Sequence, residues 1–404
     1  MTNSTTAPFA LPVGAPAAAR ATLRLLQRLR HGQLTVQLPD GSFQQFGQGG
    51  GIHATLRLHN WKVCGAALKS GDIGFAEGYI AGDWSTPQLA DLLRLFLRNR
   101  NEIEDVIYGT WLGRLAYRLR HLLHRNTKTN SKKNIHAHYD LGNAFYRLWL
   151  DETMNYSSAL FEHPGQDMVS AQWAKVHRAL RSAQVKPGDR VLEIGCGWGA
   201  LAEAATTRFG ASVVGVTLST EQLAWANARM TRLGTAARAD LRLQDYRDIN
   251  DGPFDAICSI EMVEAVGREY WPTYFQTVAR LLKPGGRANI QSITIADEHF
   301  ERYIRGTDFI QQYIFPGGCL PSPSAFRAQA EAAGLVVEDA FAFGRDYAET
   351  LRQWRERFLH EEPRVRALGF DEHFLRVWEF YLAYCEAAFD EGSTDVMQFT
   401  LRKA

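Results

Sequence analysis

The chain of 404 residues has few cysteines and no cysteine pair. Cys64, Cys196, Cys258, Cys319 and Cys385 are odd in number, widely scattered and without C-x-x-C spacing. That argues against a disulfide framework and against a structural zinc site. No run reaches 18 consecutive apolar residues, so no segment is expected to span a bilayer. The stretch Ala7–Ala19 lacks a basic flank and is broken by prolines, which makes it a poor signal peptide and leaves a cytoplasmic protein as the expectation. There is no Ser-His-Asp order, no cluster spaced to ligate a metal and no internal repeat; His136 and His138, two apart, would not share a helix face. With 46% hydrophobic residues, 22% charged and a net charge of +1, the chain reads as globular and long enough for two or three domains.

Acidic residues are also missing between Asp105 and Asp140, where Arg114, Arg118, Arg120, Arg125, Lys128, Lys132 and Lys133 stand. Ile103, Val106, Ile107, Trp111, Leu115, Leu119, Leu122 and Leu123 recur at helical spacing through the same region, although Gly113 costs such a helix roughly 1 kcal/mol. A basic amphipathic stretch suits anionic headgroups, and equally a solvated helix face with a linker. No aromatic-interleaved basic groove accompanies these charges, so nucleic acid is not expected as a partner.

These features divide the chain into a disordered lead-in (1–22), a small α/β unit (23–105), the basic helix and linker (106–133) and a larger domain (134–404). In the small unit, Leu34–Leu38 alternates like a half-buried strand, Pro39-Asp-Gly41 supplies a turn, and His53–Leu58 reads as another strand. In the large domain, strands are expected at Arg190–Ile194, Ser212–Val216, Leu241–Leu243, Phe254–Ile260 and Arg287–Ile295, with helices between them. One of these helices carries Leu223, Ala226, Met230 and Leu233 and is closed by Gly234. Such alternation predicts an α/β fold, a mostly parallel sheet with helices on both faces and ligands at the carboxyl ends of its strands. Residues 355–404 read as a helical tail rich in aromatics.

Val191-Leu-Glu-Ile-Gly-Cys-Gly-Trp-Gly-Ala-Leu201 is the most informative stretch. A buried strand end runs into Gly195, Gly197 and Gly199, a turn that leaves bare backbone for a ligand. The spacing is G-x-G-x-G after an acid, Glu193, rather than the G-x-G-x-x-G of a dinucleotide pyrophosphate site. It suits a nucleoside with an amino-acid tail, S-adenosylmethionine. At the next strand end, Thr217 and Gln222 could meet a ribose, while Ser219-Thr-Glu-Gln222 equally fits a helix capping box. Asp245, after the third strand, could read an adenine amine or simply start a helix. Glu264 follows an apolar strand and is expected at the ligand edge, since an unpaired buried carboxylate is costly. With no residue set that would activate a nucleophile, the acceptor should need little deprotonation.

Taken in order, His138-Tyr-Asp-Leu-Gly-Asn143, Met154-Asn-Tyr-Ser-Ser158, Glu193–Gly199, Gly215–Gln222, Gln244–Asp248, Tyr313–Pro321 and Gly344-Arg-Asp-Tyr347 resemble the cyclopropane-fatty-acyl-phospholipid synthase family, which includes the mycolic acid cyclopropane synthases. The resemblance spans 134–404, and the first unit resembles the lipid-engaging N-terminal domain of phospholipid-acting members. It implies a Rossmann-like methyltransferase domain in which an acyl-chain olefin attacks the methyl carbon of S-adenosylmethionine and a bound bicarbonate takes the released proton. By motif, Tyr156, Ser157, Gly195 and Gly197 would meet the methionine end, Thr217 and Gln222 the ribose, and Gln244 and Asp245 the adenine. Ser158, Glu264, Gln291, Ile293 and Tyr347 would hold the bicarbonate. Two positions depart from the family: its common cysteine is Ser158 and its common histidine is Gln291, which can donate a hydrogen bond but never carry charge. The anion would be held less firmly, which bears on ring closure.

The expected partner is an unsaturated membrane phospholipid at the inner face of the cytoplasmic membrane, with a homodimer left open. Alternatives are a methyl-branched or methylene-bearing product, a lipid carrier with an inactive methyltransferase domain, and a small-molecule methyltransferase.

Overall fold

The computed structural model describes residues 14–103 and 141–404; the basic segment 106–133 lies outside them. The first unit holds a four-stranded sheet in the order β2-β1-β3-β4, made of β1 (Gln33–Gln37), β2 (Phe43–Phe46), β3 (His53–Leu58) and β4 (Trp84–Ser85). β1 buries alternate residues, Leu34 and Val36, as its pattern predicts. Its hairpin partner across the Pro39-Asp-Gly41 turn is β2, a strand the sequence reading passes over, while β3 runs parallel to it on the other side.

Residues 17–22, expected in the disordered lead-in, instead begin a helix, Ala17–Leu26. Ala19, Leu23 and Leu26 repeat on one face of that helix and are buried, and apolar burial of this kind orders a chain end. A long helix, Lys62–Ile80, kinks at Gly71, whose φ of 62° and ψ of −135° suit only a residue without Cβ.

The large domain is built on a seven-stranded sheet in the order β10-β11-β9-β8-β5-β6-β7. β5 (Arg190–Ile194), β6 (Ser212–Thr217), β7 (Ala239–Leu243), β8 (Phe254–Ile260) and β9 (Leu282–Ile295) are parallel; β11 (Thr394–Lys403) runs antiparallel to β9, and β10 (Leu335–Ala342) to β11. Both faces of the parallel part are covered, which explains its unbroken apolar runs. Leu192 and Ile194 pack with Phe275 and Val278 on one side. Val191 and Cys258 pack with Val176 and Leu201 on the other.

The helical tail expected at 355–404 is corrected. Helices span Gly344–His360, Glu362–Ala367 and Glu372–Asp390, but the chain then reverses at Gly392 and ends as β11, inside the sheet. Val396, Phe399 and Leu401 gain full burial there.

The two units share one core, in which Leu34, Trp84 and Leu92 join Phe309, Trp354 and Trp378. Polar contacts reinforce it: Tyr79 donates to Glu379 at 2.6 Å, Arg94 and Arg98 reach Glu391 at 3.2 and 2.6 Å, and Tyr384 donates to Asp72 at 2.9 Å. Among the described residues, no helix is long and apolar enough to cross a membrane.

Candidate active site

Beyond β5 the chain turns through Gly195, Gly197 and Gly199, at φ of 86°, 49° and 83°, into the helix Ala200–Thr207. A side chain at Gly195 would press on Met262 at 3.0 Å, while Gly197 faces open space. This loop walls a cavity of about 170 Å³ that Tyr156, Ser157, Thr217, Gln222, Gln244 and Asp245 also line. All eight residues assigned to the cofactor therefore face one space. Glu193 lines it too, and its buried Oε2 has no hydrogen-bond partner among the described residues. Burial holds that carboxyl well above the usual range. An unmatched buried acceptor beside bare glycine backbone fits a ligand that brings its own ammonium and needs no phosphate cradle.

Thr217 donates to the Gln222 side chain at 2.9 Å, and Ser219 accepts from the Gln222 backbone N–H at 3.2 Å. Half of the expected capping box thus forms, while the Gln222 amide is turned to Thr217 at the cavity wall. Gln244 donates to the Asp248 carbonyl at 2.9 Å. Asp245 caps the turn Tyr246–Asp248 and takes two bonds from the Arg247 guanidinium, at 2.8 and 2.6 Å. The helix-start reading of Asp245 describes its contacts.

Tyr156 stands among Tyr146, Trp149 and Trp354, with ring centroids 5.5, 5.4 and 5.6 Å away, and its hydroxyl lies 2.7 Å from that of Tyr381. Lys175, wholly buried on the helix Met168–Ser182, donates to Ser157 Oγ at 2.5 Å. Gln172 on the same helix donates to the Ser157 carbonyl at 2.9 Å. Sequence reading missed both residues, which look like ordinary polar members of an amphipathic helix. Burial lowers the Lys175 pKa to about 8.

Three of the five residues assigned to bicarbonate, Ser158, Gln291 and Tyr347, also converge, but on a side chain. Glu261 Oε1 accepts from the Ser158 backbone N–H and from Gln291 Nε2, both at 2.8 Å, and its Oε2 accepts from the Tyr347 hydroxyl at 2.6 Å. Gln291 is oriented by Gln398 of β11, which donates to its Oε1 at 3.0 Å. Glu261 itself holds a left-handed backbone, with φ of 50°, an uncommon conformation for a residue with Cβ. Burial raises its carboxyl above the ordinary range, opposed by the Tyr347 bond and the Lys175 charge. The signal for Glu261 was present as a pair of acids three apart, Glu261 and Glu264, at the end of an apolar strand. Glu264 accepts from the Ile293 N–H, and its pKa is pushed up to about 8 by burial and then by Glu261.

A second cavity, of about 190 Å³, adjoins the first; Tyr156, Glu261 and Ala265 line both. Its walls are largely apolar, with Ile293, Ile314, Phe315, Leu351, Tyr381 and Phe389 among them, and Glu264 and Tyr347 at the Glu261 end.

The sheet order, with ligand-facing glycines at the tip of β5 and an apolar slot beside them, defines the class of the protein: it is an α/β methyltransferase. The family model described as mycolic acid cyclopropane synthetase matches residues 126–399. The chain is similar to a tuberculostearic acid methyltransferase of Mycobacterium tuberculosis, 38% identical over 96% of this chain and 92% of that protein. It is also similar to the cyclopropane-fatty-acyl-phospholipid synthase of Escherichia coli, 37% identical over 84% of this chain and 85% of that one. The crystal structure of a mycolic acid cyclopropane synthase complexed with SAH and CTAB superposes with a TM-score of 0.63, at 33% identity, covering 67% of this chain and 98% of that one. The chain belongs to the mycolic acid cyclopropane synthetase family.

Proposed function

We propose that the protein transfers the methyl group of S-adenosylmethionine to the cis double bond of an unsaturated acyl chain in a membrane phospholipid. The observation that carries this reading is the meeting of the two cavities at Tyr156, Glu261 and Ala265. One cavity is walled by glycine backbone and carries Glu193, Thr217, Gln222 and Gln244, as a nucleoside with an amino-acid tail requires; the other is largely apolar, as a hydrocarbon chain requires. Gly195, Gly197, Tyr156 and Ser157 would hold the methionine end, Glu193 its ammonium, Thr217 and Gln222 the ribose, and Gln244 with Asp245 the adenine side. When bound, S-adenosylmethionine supplies an electrophilic methyl carbon.

An olefin is a neutral nucleophile, so the protein's task is to place the reacting carbons and tolerate a cation, and positioning alone is worth about 7–11 kcal/mol. Tyr156, Tyr347 and Tyr381 line the apolar cavity, and a ring face turned to a developing cation would stabilise it by roughly 0.5–2 kcal/mol. A phospholipid as methyl acceptor fits the small unit, where a further apolar cavity lined by Leu23, Leu56, Phe75 and Phe96 shares Tyr384 with the acyl slot. The enzyme would work as a peripheral protein on the inner leaflet.

A cyclopropane is the product the resemblance implies. A methyl-branched or methylene product is the second reading, favoured by Gln291, which can never be cationic, and by the relative named for tuberculostearic acid. Incubating the full chain with methyl-labelled S-adenosylmethionine and vesicles of an unsaturated phosphatidylglycerol tests both. Label in the acyl chains is expected, and mass spectrometry after hydrogenation separates ring from double bond. Label confined to water-soluble acceptors would overturn the proposal.

A further inference from the structure

We propose that the Glu261 carboxylate is the enzyme's own proton acceptor, standing where the family resemblance places a bicarbonate, so that this chain works without dissolved bicarbonate. The inference rests on the reading of the chain as an olefin methyltransferase. Ser158 N–H, Gln291 and Tyr347 were assigned to an anion from their motifs alone. In the fold they donate to one anion, at 2.8, 2.8 and 2.6 Å, and that anion is covalently part of the chain. Its three donors satisfy it, leaving no vacant donor set for a second small anion at that position. Glu261 also lines both cavities, so it borders the space where the acyl carbons and the methyl donor would meet.

Its geometry is maintained at some expense. A non-glycine residue with φ of 50° holds a sparsely populated backbone conformation, which persists only where surrounding structure enforces it. Enforcement comes from four directions: the loop at Ser158, β9 through Gln291, the helix Gly344–His360 through Tyr347, and β11 through the Gln398 bond that aims the Gln291 amide. A carboxylate needed only to tie these elements together could have used a relaxed backbone.

The chemistry balances. The olefin's π pair forms the bond to the incoming methyl carbon as the carbon–sulfur bond breaks, its electron pair remaining with sulfur, and the neighbouring acyl carbon is left positive. A C–H bond close to that centre then breaks. Its electron pair closes a three-membered ring or forms a new double bond, and the proton passes to a Glu261 oxygen, which becomes a neutral acid. Solvent takes the proton after the product leaves. No oxidant, reductant or further reagent is needed.

The test uses the purified full chain in carbonate-depleted buffer, with methyl-labelled S-adenosylmethionine and unsaturated phosphatidylglycerol vesicles, with and without added bicarbonate. The native rate should not respond to bicarbonate. Glu261→Gln, which fills the same space without a basic site, should lose roughly 100-fold or more, and bicarbonate should not restore it. Glu261→Gly, which relaxes the backbone and exposes the three donors, should lose as much and recover roughly tenfold or more on adding bicarbonate. Calorimetry gives a readout independent of turnover: bicarbonate should bind Glu261→Gly and not the native chain, while both retain affinity for S-adenosylhomocysteine. Stimulation of the native enzyme by bicarbonate, bicarbonate binding to the native chain, or near-native turnover by Glu261→Gln would each overturn the proposal. Absence of label from every lipid would sink the olefin reading instead, with the calorimetry still deciding who occupies the donor set.

Discussion

Tyr347 and Glu264 line the apolar cavity together with Glu261 and do different work. Tyr347 gives Glu261 a hydrogen bond of 2.6 Å, and a bond to a charged acceptor is worth about 1.5–3 kcal/mol. Tyr347→Phe should therefore lower kcat by roughly 10- to 100-fold, with calorimetric affinity for S-adenosylhomocysteine unchanged. Glu264→Gln should lower turnover by roughly tenfold with the same retention of affinity, since the Ile293 N–H it accepts from belongs to the acyl slot. Parallel loss of cofactor affinity in both variants would show that these residues shape the nucleoside cavity. At this scale the sequence was informative wherever a motif named a position. The eight residues given to the cofactor all face one cavity, and four of the five given to the anion gather within reach of Glu261 or Glu264. Glu261 escaped because spacing cannot show a left-handed turn at a strand end, and that turn is what aims its carboxylate.

Among the elements, β5 and β8 match their expected bounds, β6 runs one residue past its expected end, and β7 and β9 begin two and five residues before their expected starts. Buried parallel strands declare themselves as apolar runs between glycine turns and helical patterns. β10 and β11 did not, because they enter the sheet antiparallel, beside long aromatic helices whose periodicity dominates the neighbouring sequence. Yet β11 is consequential, since its Gln398 fixes which end of the Gln291 amide meets Glu261. The long helix Lys62–Ile80 makes a sharper prediction. Gly71 lies at φ 62° and ψ −135°, and past the kink a side chain on Gly74 would stand 2.2 Å from the Ala66 carbonyl oxygen. Gly71→Ala should destabilise the protein by about 1–3 kcal/mol, read as a lower midpoint in urea with unchanged slope. An unchanged midpoint would mean the kink relaxes without loss.

For the molecule as a whole, the seam between the two units carries buried acids. Asp72 accepts from the Phe309 N–H and the Tyr384 hydroxyl. Burial, with the Asp308 charge second, raises its pKa to about 7, and burial raises Asp308 to about 6. An unfolded chain releases both protons near the ordinary value of 3.8, whereas the folded chain keeps them to pH 6–7. Across that window the folded state holds more protons, so stability falls as pH rises. Asp72→Asn keeps an acceptor for Tyr384 and removes the titration. Its thermal midpoint should exceed that of the native chain by on the order of 2 °C at about pH 8, and the difference should shrink towards about pH 4. An equal difference at both values would show that the proton is not involved.

One helix, Glu372–Asp390, belongs to both units at once. Its outer side is gripped by Tyr79 and Arg94, while its inner side presents Tyr381, Tyr384, Cys385 and Phe389 to the acyl slot. A rigid rod shared this way works like a tiller. A shift of the small unit against the larger one would therefore be felt at the wall of the apolar cavity, through this one helix.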